Sequence, residues 1–319
     1  SPVADLGPDA WVARVELRYR LAQADQSPVL GEQLFTMVRR GGTWYVAGDA
    51  GGAAAPGAVY RGLWDYGPVV VARGRHALVL GLGSADRLRP FVTLADAAVP
   101  AVSSTWGTAW PEQVVLVVPQ TLDQMAGLLG GTTADYQQIA AVTTGQAASG
   151  ARGESAERIV LNPDAFARLG AVGRRVVLTH EVTHVATRAA TDATMPMWLA
   201  EGFADYVGYR GTGIPVRVAA GDLLRQVRAG QVPATLPVDG AFDGRSAGLS
   251  AAYEQAWLAA LFIAERYGPA KLVAFYQAVG TRPDLAPDVA VEQAAGSVLG
   301  TTVAGLTAGW RAYLRAQAR

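Results

Sequence analysis

The segment Val177–Val185 constrains the fold more than any other part of the sequence, because it places two of only three histidines four residues apart. A stripe of apolar residues recurs here at spacings of four, three and four: Leu178, Val182, Val185 and Ala189. This spacing predicts a helix with one buried stripe. Positions i and i+4 lie one turn apart on the same helix face, so His180 and His184 can direct ring nitrogens at one metal ion.

Glu181 follows the first histidine and lies about 100° around the helix from it, beside the bound ion rather than on it. Imidazole nitrogens about 2.0–2.1 Å from the ion suit zinc, and a catalytic zinc site keeps a fourth position open for water. The pattern therefore predicts one zinc ion per chain. The alternative is a pair of structural histidines with a surface glutamate between them.

A second segment supplies more carboxylates. Glu201 follows His184 by seventeen residues, within Trp198–Tyr206. On a helix that begins after Pro196, Glu201 can be a third, anionic ligand. Asp205, one turn further on, can accept the free ring N–H of a zinc-binding histidine. The alternative for Asp205 is a solvated residue on the helix surface.

Together the two segments resemble the gluzincin zinc metallopeptidases, and most of all the peptidase MA-like domains of secreted bacterial proteins. The similarity covers roughly residues 75–319, and its specific part is confined to residues 158–206. It implies His180, His184 and Glu201 as ligands and Glu181 as catalytic base. It also implies that a peptide or protein substrate lies along a sheet-edge strand, made of Arg158, Ile159, Val160, Leu161 and Asn162.

The resemblance further implies a tyrosine or histidine, from a helix after Glu201, that stabilises the oxyanion of the reaction. No histidine remains downstream, and we therefore predict Tyr253, with a half-buried structural aromatic as the alternative. Tyr206 lies about 140° from the Glu201 face of its helix, which favours packing instead. The Gly-x-Met-Glu-Asn motif of the aminopeptidases is absent, so an endopeptidase is favoured.

Three functions fit these residues. The first is a zinc-dependent endopeptidase in which Glu181 takes a proton from a zinc-activated water. The second is a zinc hydrolase of non-protein amides, such as those of the cell wall, with the same site chemistry. The third is a zinc-binding scaffold without turnover, although such a protein has no need of Glu181.

The overall composition limits partners and location. Lys plus Arg and Asp plus Glu both number 27, which argues against a nucleic-acid partner. No apolar run approaches the roughly 20 residues that a transmembrane helix needs. The chain has no cysteine, which leaves the compartment open. The resemblance, together with an N-terminus that lacks methionine, predicts an extracellular or cell-envelope location, secreted or lipid-anchored.

The organisation predicted for the chain is α+β. Alternating apolar residues from Trp11 to Leu21 indicate a strand with one solvated face, and Gly41-Gly42 indicates a hairpin. Residues 1–72 are therefore predicted to form an antiparallel β accessory domain that resembles the sheet of nuclear-transport-factor-like domains. Residues 73–319 are predicted to form the peptidase-like domain, with a small mixed sheet followed by helices.

The Gly/Pro-rich stretch 208–249 is long for a plain connection, which favours a place near the cleft. Asp239 and Asp243 within it could indicate calcium, but their surroundings offer few regularly spaced oxygens. Turns are therefore the favoured interpretation for this pair of aspartates.

Overall fold

The computed structural model describes residues 9–49, 60–144, 156–192, 194–246 and 248–319. The fold is α+β, as predicted, with a three-stranded antiparallel sheet, a five-stranded mixed sheet and a helical C-terminal half. The chain forms two compact units, one of Ser1–Val92 with Gln113–Arg168 and one of Thr93–Glu112 with Leu169–Arg319. In the described ranges, no helix combines the length and the apolar character that a membrane crossing requires.

The three-stranded sheet confirms the predicted hairpin. Its strands pair antiparallel in the order β1-β2-β3, with bounds Ala10–Tyr19 (β1), Val29–Arg40 (β2) and Thr43–Gly48 (β3). Gly41 and Gly42 connect β2 to β3 with positive φ angles of 56° and 86°. Both central residues of a type I′ turn need positive φ, which glycine adopts without steric cost.

The apolar face of this sheet is more exposed than its alternating sequence predicts. Trp11 and Val15, which the pattern assigns to the buried face of β1, are both exposed. Every residue of β3 from Thr43 to Ala47 is exposed as well. Alternation correctly identified which residues share a face, but it carries no information on whether another element covers that face.

The five-stranded sheet has the order β4-β5-β6-β8-β7 and lies in the first unit. Strands β5, β6 and β8 are parallel, whereas β4 pairs antiparallel with β5 and β7 pairs antiparallel with β8. The strand bounds are Val69–Arg73 (β4), Ala77–Leu82 (β5), Val114–Val118 (β6), Ala141–Thr143 (β7) and Ile159–Leu161 (β8).

The prediction that residues 158–162 form a sheet edge is wrong, because β8 lies between β6 and β7. The three strand residues Ile159, Val160 and Leu161 are buried. Arg158 turns its guanidinium to Asp25, with N···O distances of 2.7 and 2.6 Å. Asn162 accepts two backbone N–H bonds at the start of the next helix. A strand with neighbours on both sides has no free backbone edge to offer a peptide.

The first compact unit extends beyond the predicted domain boundary between residues 72 and 73, because residues on both sides of that boundary share one core. Leu21 and Ala24, from the β1–β2 loop, pack against the buried cluster of the five-stranded sheet. The Arg158–Asp25 ion pair joins the same loop to β8, with both side chains buried. The division at 72/73 also falls inside β4, which pairs with β5. Independent folding of residues 1–72 stays a prediction.

Helices dominate the chain after residue 163, as predicted. The helices before residue 163 in the described ranges are Ala85–Trp106 (α1), Leu122–Leu128 (α2) and Thr133–Tyr136 (α3). In the described part of the chain after residue 162, the helices are Pro163–Arg168 (α4), Ala171–Thr187 (α5), Met197–Tyr209 (α6), Val216–Ala219 (α7), Gly221–Arg228 (α8), Leu249–Tyr267 (α9), Pro269–Gly280 (α10), Pro287–Ala294 (α11) and Val303–Gln317 (α12).

Candidate metal centre

Helix α5 carries the histidine pair in a fully buried segment of the second unit. Every residue from Leu178 to His184 is buried, including the four polar or charged ones between Thr179 and Thr183. The predicted stripe is correct for Leu178 and Val182, whereas Ala189 is exposed and follows the end of the helix. The helix therefore has no solvated face at the histidines, so their neighbours come from packed helices.

Helix α6 carries Glu201, and it begins with a cap that the sequence did not reveal. Pro196 occupies the position before the helix and supplies no side-chain hydrogen bond. The carboxylate of Asp239 instead accepts the N–H of Met197 at 2.9 Å. Asp243 accepts the N–H of Arg245 at 2.8 Å in a local turn. Asp243 thus stabilises a local turn, as predicted, whereas Asp239 caps a helix distant in the sequence, a role that was not predicted.

Two glycines allow α6 to approach both of its neighbours. A methyl group on Gly202 would overlap the carbonyl oxygen of Ala256 in α9. One on Gly208 would lie 3.0 Å from the carbonyl oxygen of Val176 in α5. Glycine in a helix interior costs about 1 kcal/mol relative to alanine. Here Gly202 allows α6 to approach α9 closely, and Gly208 allows it to approach the histidine helix α5.

Replacing Gly202 by alanine should destabilise the fold by about 1–3 kcal/mol, because the added methyl overpacks the contact between α6 and α9. The free energy of unfolding in urea measures this effect. Gly296→Ala is the matched control, because that exposed glycine has open space around its Cα. Equal stability of the two variants would contradict the packing role of Gly202.

Three donor atoms converge between α5 and α6. The Nε2 atoms of His180 and His184 lie 2.9 Å apart. The Oε2 atom of Glu201 lies 3.1 Å from the first and 3.5 Å from the second. Ligands about 2.0–2.1 Å from one tetrahedral zinc ion lie roughly 3.3 Å from each other. The three distances therefore fit the ligand triangle of a single zinc ion.

The hydrogen bond of His180 supports a cation at this point. Its Nδ1 lies 2.8 Å from Oδ1 of Asp205, one turn after Glu201 on α6. With the Nδ1 proton donated to this carboxylate, Nε2 presents its lone pair to the other two donor atoms. Three lone pairs at such short range repel unless a proton or a metal ion lies among them. The donor set and its outer carboxylate thus fit zinc.

The charges of the site explain its pKa values in the absence of metal. Burial opposes ionisation of His180, but the carboxylates of Asp205 and Glu201 outweigh it and hold the pKa well above the ordinary value. Burial likewise opposes ionisation of Glu201, yet the two histidines bring its pKa below the ordinary range. The site therefore has anionic character that must be balanced by protons or by a metal ion.

Removing the Asp205 carboxylate should weaken metal binding about 10- to 100-fold, because His180 loses the partner that fixes its tautomer and ring orientation. We expect Asp205→Ala to show the full effect and Asp205→Asn a smaller one, since the amide oxygen can still accept the bond. Competition with a fluorescent zinc chelator measures the affinity. Unchanged affinity in Asp205→Ala would contradict the orienting role.

The structure also brings Tyr253 to this site. Its ring lies in α9, 6.2 Å from the His180 ring between centroids. Burial raises the pKa of its hydroxyl well above 10, and the carboxylates of Glu201, Asp205 and Glu181 raise it further. The hydroxyl therefore keeps its proton at neutral pH and can donate a hydrogen bond. Glu181 is buried and follows His180 directly in α5, but it is not one of the three members of the donor group.

Sequence reasoning missed two supports of this arrangement. Phe242, from the stretch that was predicted to lie near the cleft, packs edge-on against Tyr253, with centroids 5.4 Å apart. Tyr276 of α10 is fully buried, and its hydroxyl lies 2.9 Å from Thr191 and 3.3 Å from Thr187, at the end of α5. No periodic pattern marks such contacts, because their partners are distant in the sequence. Tyr206 is buried near Phe203, as predicted.

Comparison with known proteins gives matches only among solved structures. No protein-family profile matches the sequence, and neither does any curated protein. A variant M1 zinc metallopeptidase from Deinococcus radiodurans is 14% identical, with a TM-score of 0.44, and the match covers 98% of this chain and 62% of that one. The same kind of variant bound to a Tyr-Ser-Ala substrate gives a TM-score of 0.43, with 98% and 61% covered.

A two-domain M1 zinc metallopeptidase variant bound to L-arginine is also 14% identical, with a TM-score of 0.42 and the same coverage of 98% and 61%. This chain therefore spans about three fifths of the length of the solved structures that it matches. The described part of the chain holds a buried group of two histidines and one glutamate that could bind a metal ion.

Proposed function

We propose that this chain is a zinc-dependent peptidase that hydrolyses internal peptide bonds. The observation that carries the proposal is the convergence of His180 Nε2, His184 Nε2 and Glu201 Oε2, with distances of 2.9, 3.1 and 3.5 Å. Glu181, the next residue after His180, is buried as well. Three ligands from protein leave a fourth tetrahedral position for water, which is the arrangement of catalytic zinc.

The zinc ion would lower the pKa of a bound water to about 7 and polarise the scissile carbonyl. Glu181 accepts the proton of the attacking water and later donates it to the nitrogen of the leaving amine. Tyr253 donates a hydrogen bond to the carbonyl oxygen as that oxygen gains negative charge. Asp205 keeps the His180 ring in the orientation that metal binding requires.

The endopeptidase assignment rests on the missing Gly-x-Met-Glu-Asn motif, since the chain lacks that known means of capturing a substrate N-terminus. We also propose an extracellular or cell-envelope location, which follows from the resemblance to secreted bacterial proteins. The buried glutamate Glu181 favours turnover over a scaffold role, because metal binding alone does not require it.

Chelation should abolish hydrolysis of an unfolded protein, and added zinc should restore it, because the proposed nucleophile depends on the ion. Fluorogenic peptides blocked at both ends distinguish endopeptidase from exopeptidase activity, and they are expected to be cleaved. Soluble cell-wall fragments are the parallel substrate. If the cell-wall fragments are cleaved and the peptides are not, the substrate is a non-protein amide. If the zinc-loaded chain cleaves neither substrate, the proposed hydrolase function is wrong.

A further inference from the structure

Strand β3 is an edge strand, and the described residues give it none of the features that normally protect such an edge. No strand of the described residues pairs with its outer side. Its segment Thr43–Ala47 has no charge and no proline, and every residue in it is exposed. Trp44, Tyr45 and Val46 have 46, 52 and 58% of their surface exposed. Natural edge strands usually carry lysine, proline or a covering element, so a bare edge indicates a pairing surface.

The hairpin geometry determines which backbone groups point outward. Arg40 and Thr43 flank the two-residue turn and form a hydrogen-bonded pair between the strands. Hydrogen-bonded and non-hydrogen-bonded pairs alternate along an antiparallel ladder. Tyr45 therefore directs its N–H and C=O toward β2, whereas Trp44 and Val46 direct theirs to the open side.

One face of the same sheet continues this surface. Trp11 opposes Met37 and Met37 opposes Val46, so these side chains share a face across the three strands. The Trp11 and Trp44 rings meet edge-to-face with centroids 6.0 Å apart. An exposed apolar patch beside an open edge favours a partner that adds both backbone bonds and apolar cover.

We propose that β3 is a self-association surface, where two copies of this chain pair antiparallel about a twofold axis at Tyr45. In this register Trp44 of each copy opposes Val46 of the other, and these are the residues with outward backbone groups. With the axis at Trp44 instead, Val46 would oppose Gly42 in the turn. With the axis at Val46, Trp44 would oppose Gly48, next to the register irregularity. A second copy fits this edge because β3 is uncharged from Thr43 to Ala47, so two copies of it do not repel each other. The twofold axis also places the apolar faces of the two sheets on the same side, where they form one surface.

The pairing forms one six-stranded sheet across two chains. Four backbone hydrogen bonds join Trp44 and Val46 of the two copies, and the Tyr45 side chains lie next to each other at the axis. The contact is at the small end of protein interfaces, so the dissociation constant should lie in the micromolar range.

Sedimentation velocity over a concentration series of the full chain tests this inference. A reversible dimer is expected, and Val46→Lys should raise its dissociation constant about tenfold or more by placing a charge in the apolar junction. Val218→Lys is the matched control, because Val218 is an exposed valine of α7 far along the chain. A chain that stays monomeric at about 0.5 mM, well above the micromolar dissociation constant expected, overturns the proposal.

A crosslink tests the register even where a lysine variant fails to fold. The chain has no cysteine, so Tyr45→Cys introduces a single thiol. At the twofold axis the two Cα atoms lie within disulfide range, at about 4.5–5.5 Å. Thr43→Cys is the control, because the two copies of that residue lie about 13 Å apart. Rapid oxidative dimerisation of Tyr45→Cys alone supports the proposal, whereas equal crosslinking of both variants or of neither overturns it.

Discussion

Replacing Glu181 by glutamine is expected to lower the rate of peptide hydrolysis about 10²- to 10⁴-fold. The amide matches the carboxylate in shape but cannot accept the proton of the attacking water. The side chain is buried in α5 and lies outside the triangle of metal ligands. Zinc content should therefore stay at about one ion per chain. The measurement is the turnover of a blocked fluorogenic peptide by zinc-loaded protein, with zinc quantified on the same sample.

The control for this experiment is Glu265→Gln, an equally conservative change at an exposed glutamate of α9. It should leave the rate unchanged. Loss of zinc together with activity in Glu181→Gln would show that this residue holds the metal and would remove its assignment as base. Unchanged activity with intact zinc would remove the assignment as well.

Replacing His184 by alanine is expected to abolish zinc binding at micromolar metal. The variant loses one of three donors, and a site with only His180 and Glu201 leaves two positions to water. The loss of affinity should exceed the roughly 100-fold that removal of an outer hydrogen-bond partner can cost. Elemental mass spectrometry of the purified protein gives the metal content, and chelator competition gives the affinity.

His76→Ala is the matched control, because His76 is the remaining histidine and is not part of the metal-binding group. It should keep about one zinc per chain. Zinc should also raise the melting temperature of the native chain and of His76→Ala but not that of His184→Ala, since a ligand stabilises only the state that binds it. A native chain that takes up no zinc after its addition would show that the three donors do not bind it.

Much of the candidate site was predictable because its chemistry is local in the sequence. The four-residue spacing of His180 and His184 places both rings on one face of any helix. The same four-residue spacing relates Glu201 to Asp205, so the ligand and the outer carboxylate also share a face. Hairpin β2–β3 was equally local, since a Gly-Gly pair between alternating strands specifies its own turn.

Predictions that depended on neighbours in space were less successful. The pattern of Ile159 to Leu161 identified a strand but not its position, and the structure places it inside the sheet. Alternation in β1 identified a face but not whether anything covers it. The carboxylate of Asp239 caps α6 at Met197, which lies 42 positions away in the sequence. A local sequence pattern cannot predict a capping residue that is so distant.

The sequence by itself therefore determined the ligand types and their arrangement on each helix, because a helix fixes the relative direction of residues four apart. Only the tertiary structure decided that the two helices meet at a distance suited to one zinc ion. The close contact of Gly208 with the backbone of α5 allows the two helices to approach to that distance. The structure likewise decided which strand is an open edge, because pairing depends on segments far apart in the chain.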